Sequence, residues 1–276
     1  TALSAFDLPQ NESELLRVRG QGNNFQYSHE TRGTSNLKKG VQIFSGHLPR
    51  PGSGLRIISR QVYLTGFQIF GQSKKWRYHL GITNGALSNP ADINNSNGLQ
   101  ILGRFSVSPF LGLEVGTSFA RGSYLDKNSI TDYLNENSGK VEDFKQTTLG
   151  GDLSYSIGHL LFYTEVLWNR WESPYIRNNL DAVAFYVEGK YTFLTRFYLA
   201  SRFSLIDFKD INDPQDVDGD GRLRESWDYD VYQFEIGGGY RLNRNALIKA
   251  LWQINRTREI PDPEDDLMAF QMVVFF

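Results

Sequence analysis

The segment Asp216-Val217-Asp218-Gly219-Asp220-Gly221 sets carboxylates at alternate positions ahead of a glycine. In the first half of a calcium loop, that spacing turns several oxygens onto one ion while the glycine permits the sharp bend. The second half departs from the EF-hand pattern. Trp227 stands where the closing bidentate glutamate belongs, with Asp213, Glu225 and Asp228 nearby. Asp216, Asp218 and Asp220 are therefore read as candidate ligands of a weak, structural calcium ion, against the plainer reading of an acidic, hydrated loop tip. The histidines, His29, His47, His79 and His159, show no metal-ligand spacing such as HExxH. Ser156 lies near His159 in sequence, but a turn intervenes, and a nucleophilic serine needs its base within hydrogen-bond reach. With no cysteine in the chain, thiolate chemistry and disulfide staples are excluded. No enzyme is expected.

A second set of charged residues sits in alternating segments. Arg77, Arg104, Lys190, Arg202 and Lys249 share the polar parity of their segments with Glu114, Asp152, Glu165, Glu188 and Glu235. Around an aqueous bore, opposed rows of such charges would set up a transverse field that orients water, slows apolar solutes and passes small hydrophilic ones. The alternative is that they solvate an interior and pair with each other.

The elements that carry these residues read as strands. From about Gln61 to the end, apolar residues recur with period two. Trp76, Tyr78, Leu80 and Ile82 form one stripe, Leu99, Ile101, Phe105 and Val107 another, and Met268, Phe270, Met272, Val274 and Phe276 the last. The connections alternate as well. Short ones fall near Gly71–Lys75, Ser108–Gly112, Gly158–Leu160, Leu194–Phe197 and Leu242–Ala246, and long polar ones near Gly85–Gly98, Tyr124–Phe144, Glu172–Asp181, Lys209–Asp230 and Arg258–Asp266. Tight turns on one side, long loops on the other and strands of ~10 residues predict an all-β, antiparallel up-and-down transmembrane β-barrel. Eleven strands are expected from Gln61, with a candidate twelfth at Gly40–His47. Residues 1–60 read as a loop-rich segment and 61–276 as a single barrel domain. A soluble β-sandwich or lipocalin-like barrel is the competing fold, but its strands are shorter, usually ~5–6 residues. Trp168, Trp171, Tyr191, Phe193, Phe197 and Tyr198 lie near predicted strand ends and are expected to form interfacial girdles.

Bulk properties exclude other classes. The formal net charge is -2 and no Lys/Arg-rich run occurs, so a nucleic-acid partner has no electrostatic support. No run approaches the ~18 apolar residues of a membrane helix. No signal peptide is visible at Thr1, so the sequence is read as a mature exported chain or a piece of one.

The run GFQIFGQSKKWRYHLGITNG, Gly66–Gly85, resembles a strand–turn–strand segment of outer-membrane porins of the phosphate-selective type, and GLQILGRFSVSPFLGLEVGTSFARGSY, Gly98–Tyr124, is similar to the hairpin that follows. A terminal Phe276 closing an alternating strand resembles the assembly signal read by the barrel-insertion machinery. The resemblance implies residence in the bacterial outer membrane among its lipids and a sixteen-stranded homotrimer, so that this chain is either a smaller barrel or, the reading favoured here, one that lacks the first strands. Phosphate selectivity does not carry over, because the polar face here is mixed in sign. The expected function is passive diffusion of small hydrophilic or anionic solutes. The competing expectation is a structural or docking barrel subunit of an outer-membrane assembly, which a filled lumen would favour.

Overall fold

The computed structural model describes residues 57–58, 65–88, 98–125, 139–173, 179–212, 221–258 and 266–274. The calcium candidates Asp216, Asp218 and Asp220, the terminal Phe276 and the twelfth-strand candidate Gly40–His47 lie outside them.

The strands are β1 (Gly66–Gln72), β2 (Trp76–Asn84), β3 (Leu99–Val107), β4 (Leu113–Ser123), β5 (Lys145–Ile157), β6 (Leu160–Glu172), β7 (Asn179–Phe193), β8 (Phe197–Phe208), β9 (Asp210–Asn212), β10 (Arg224–Ser226), β11 (Val231–Asn243), β12 (Ala246–Thr257) and β13 (Leu267–Val274). Eleven of them form one sheet in the order β1 to β8, then β11 to β13, with β9 and β10 pairing as a separate ribbon. Every pairing is antiparallel. The fold is thus the expected succession of hairpins, and the ribbon is an addition inside the long connection from β8 to β11.

Two of the tight turns show how the short side is built. At Gly112, φ is +89° and an added Cβ would meet the Ser156 carbonyl oxygen at 2.1 Å, so only glycine fits. Between β7 and β8 the chain instead turns through Leu194 and Thr195 at φ 51° and 54°, a left-handed conformation that costs a β-branched residue free energy.

The two faces of the sheet differ in kind. Outward lie Phe67, Leu80, Ile101, Phe105, Leu149, Phe234, Trp252 and Phe270, all exposed. A soluble protein does not leave so continuous an apolar surface in water, whereas lipid accepts it. The inner face has three zones. Toward the long loops it is an apolar cluster that includes Trp171, Leu180, Phe208, Trp227 and Val231, with Ile57 and Ile58 packed into it. Across the middle runs a belt of charge. Toward the short turns the face is more open, carrying Lys190, Tyr198 and Lys249.

Two of the six expected girdle aromatics point the other way. Trp168 lies on the outer parity and Trp171 on the inner, because residues three apart on a strand face opposite sides. Trp171 is fully buried against Trp227, with ring centroids 5.6 Å apart. Tyr198 also turns inward, its ring filling the space above Gly239, where an added Cβ would sit 2.3 Å away. Tyr191, Phe193 and Phe197 do face outward, as a stacked row that continues to Tyr240.

Candidate functional site: a charged belt on the inner face

Strand register places the belt residues side by side. On β2 to β5, Arg77 pairs with Glu114, and Arg104 with Asp152. The Arg104–Asp152 contact is bidentate, its second arm Nη2 to Oδ1 at 2.7 Å, the geometry that makes guanidinium–carboxylate pairs strong. Arg104 Nη1 also donates to Ser118 Oγ at 3.2 Å, and Nη2 lies 3.9 Å from Glu114 Oε1. His79, the cross-strand neighbour of Arg104, is hydrogen-bonded to Gln68 at 3.0 Å and stacks on Phe70.

On β7, β8 and β11, Arg202 stands in register with Glu188 on one side and Glu235 on the other. Its Nε donates to Glu188 Oε2 at 2.9 Å and Nη2 donates to the same oxygen, while Nη1 is 3.5 Å from Glu235 Oε2, beyond a good hydrogen bond. The guanidinium carbon lies 5.5 Å from the centre of the Tyr186 ring, a cation–π contact. Tyr186 in turn faces Glu165, which is the register neighbour of Asp152. Glu165 is 5% exposed and its Oε1 has no hydrogen-bond partner. Lys190 stacks on Tyr198 at 4.7 Å, and Lys249 lies opposite Gly239 on the same face.

All ten charged residues singled out in the sequence occupy inner-face positions in the strand register. They do not form opposed walls of unlike sign. Cations and carboxylates are interleaved, each belt arginine lying against at least one carboxylate. Alternation reveals the side of a sheet but not the neighbour, which depends on register. Four members of the belt were not anticipated. Gly116 leaves room for the Arg104 guanidinium, and Ser204, Gln233 and Gln253 extend the belt as neutral polar groups, each at most 1% exposed. They share the inner parity, which is the only signal the sequence offered. Ser156 lies in β5 and His159 in the turn that follows it, and the His159 ring packs edge-on to Tyr191 at 6.3 Å. Among the described residues no cluster of three or more His, Cys, Asp or Glu is arranged to hold a metal. No helix among them is long and apolar enough to cross a membrane, which does not bear on crossing by strands.

No family model and no curated protein matches the chain. Among solved structures it is similar to a porin refined at 1.8 Å, with 11% identity over 90% of this chain and 73% of that one and a TM-score of 0.53. It is also similar to the loop L8 deletion form of OmpT, an outer membrane protein of Vibrio cholerae, with 10% identity over 89% and 74% of the two chains and a TM-score of 0.51. At such identity the likeness shows the fold alone, and that fold is the bacterial outer-membrane β-barrel.

Proposed function

We propose that this barrel is a porin-like channel for the passive diffusion of small hydrophilic solutes across the outer membrane. The observation that carries the reading is the belt itself. Charged and amide side chains, packed closely on one another, cross the middle of a sheet whose opposite face is apolar and exposed, as a polar interior inside a lipid-facing shell requires. An anion preference gains no support from the arginines. Arg104 and Arg202 are engaged by Asp152, Glu188 and Glu235, so neither presents a free positive field. Self-association as a homotrimer, contact with outer-membrane lipid and recognition by the barrel-insertion machinery belong to the same proposal, as does calcium at Asp216, Asp218 and Asp220.

A second reading, a structural or docking barrel, is favoured by one observation. The long-loop end of the inner face is filled by the apolar cluster, in which Ile57 and Ile58 are buried and the Ile57 carbonyl accepts a hydrogen bond from Gln146 at 2.9 Å. Planar-bilayer recording of the refolded chain separates the two. Stepwise conductance supports the channel. A folded, heat-modifiable barrel that never conducts overturns it in favour of docking.

A further inference from the structure

The inner face of β8, β11 and β12 carries buried oxygens that no hydrogen bond satisfies: Ser204 Oγ, Gln233 Oε1, both carboxylate oxygens of Glu235, and Gln253 Oε1. These belong to one patch. Ser204 is the register partner of Gln233, Glu235 is the register partner of Gln253, and Gln233 and Glu235 are two apart on the same strand and so share a face. Asn255 fixes their orientation. The side-chain nitrogens of Gln233 and Gln253 both donate to Asn255 Oδ1, at 2.9 and 3.0 Å, so each amide has spent a donor there and its oxygen remains unused. Arg202 is ion-paired with Glu235 at 3.5 Å but makes no hydrogen bond to it, because its hydrogen bonds go to Glu188.

We infer that Ser204, Gln233, Glu235 and Gln253 form a binding site for a monovalent cation, either an alkali ion or the ammonium head of a solute. Buried polar groups are ordinarily satisfied, and of these five oxygens only the Ser204 hydroxyl carries a proton of its own, so the other four are completed by a donor or a positive charge. The charge count sets the valence. Glu188 and Glu235 flank the single positive charge of Arg202, so the three together are one positive charge short and a second would be in excess. A calcium ion draws on several anionic oxygens, which this patch lacks. The inference deepens the channel reading and rests on it for access from the bulk. It makes the belt a resting place for cations in transit.

Thallium(I), which substitutes for alkali ions and reports through its own nuclear resonance, is the probe. Titration of the refolded full chain should give saturable binding. Glu235→Gln, close in shape and without the charge, should weaken it ~10-fold or more, the scale of one charge-assisted contact. Gln253→Leu should weaken it as well, and it serves if Glu235→Gln does not refold. Competition by potassium alone marks an ion site, and competition by methylammonium as well marks a solute ammonium site. Non-saturable binding, or equal affinity in the parent and a folded variant, overturns the proposal. Because no current is measured, a barrel that binds thallium but does not conduct loses only the channel reading, and one that conducts but does not bind loses only the site.

Discussion

Arg104 on β3 reaches Asp152 on β5 by passing over β4 at Gly116, where an added Cβ would sit 2.5 Å from Arg104 Nη2 and 2.6 Å from Asp152 Oδ2. The pair therefore depends on a missing side chain in the strand between. Gly116→Val is expected to part the two charges and destabilise the barrel by about 3 kcal/mol, the lower end for breaking a buried pair. Gly189→Ala, with nothing within 4 Å of the new methyl, is the matched control. Denaturant unfolding in lipid decides. Equal stability of both variants would show that the pair does not need the gap.

The apolar cluster at the long-loop end is held by Trp227, which packs against Trp171 and Phe208 at 5.6 and 4.8 Å and donates from Nε1 to the Asp181 carbonyl at 2.7 Å. Trp227→Ala should cost about 3–5 kcal/mol. If the cluster limits passage, solute uptake by liposomes carrying the variant should rise above the parent. Unchanged uptake in a folded variant would mean that the restriction lies elsewhere.

The turn between β7 and β8 is predicted to be improvable. Leu194 and Thr195 occupy the left-handed region, which asparagine and glycine enter with less strain. Leu194→Asn and Thr195→Gly should each stabilise the barrel by about 1 kcal/mol, read as slower unfolding. A loss of stability from either would contradict the turn geometry.

Because the chain has no cysteine, single introduced thiols report sidedness cleanly. Thiols placed at Asn95, Asn137 and Gly219 should all react with an impermeant maleimide from one side of the membrane. Those at Lys74, Thr195 and Arg244 should react only from the other. Mixed accessibility within either group would break the hairpin order.

Asp266, at the entrance to β13, is held below the usual aspartate range by its hydrogen bond from the Arg256 side chain, with the Asn255 backbone N–H adding to it. A lowered folded-state pKa means that the contact stabilises the fold above the unfolded-state value and is lost as the pH falls through the folded one. A carbon-detected titration should place this carboxyl below the ordinary aspartate range, and Arg256→Gln should raise it. A parent value at or above the ordinary range would refute the contact.

The strands were legible because lipid outside and polar groups inside force a strict period of two. Alternation could not tell that Glu188, Arg202 and Glu235 are consecutive neighbours, since that follows from strand register. The β9–β10 ribbon escaped notice because Asp210–Asn212 and Arg224–Ser226 are short and polar, with no stripe to mark them. Trp171 and Tyr198 were misread as girdle residues because their position near strand ends outweighed their parity. Gly116 was invisible in principle, because its role is the space it leaves for side chains from two other strands.

Apart from the step that passes the ribbon between β8 and β11, each strand of the main sheet is bonded to its immediate neighbours along the chain. Such a weave has mechanical grain. Drawn out of a bilayer by its last residues, the sheet would come away hairpin by hairpin, with a pause at each tight turn. The step from β11 back to β8 would release the whole ribbon segment at once, giving one long extension among otherwise regular ones.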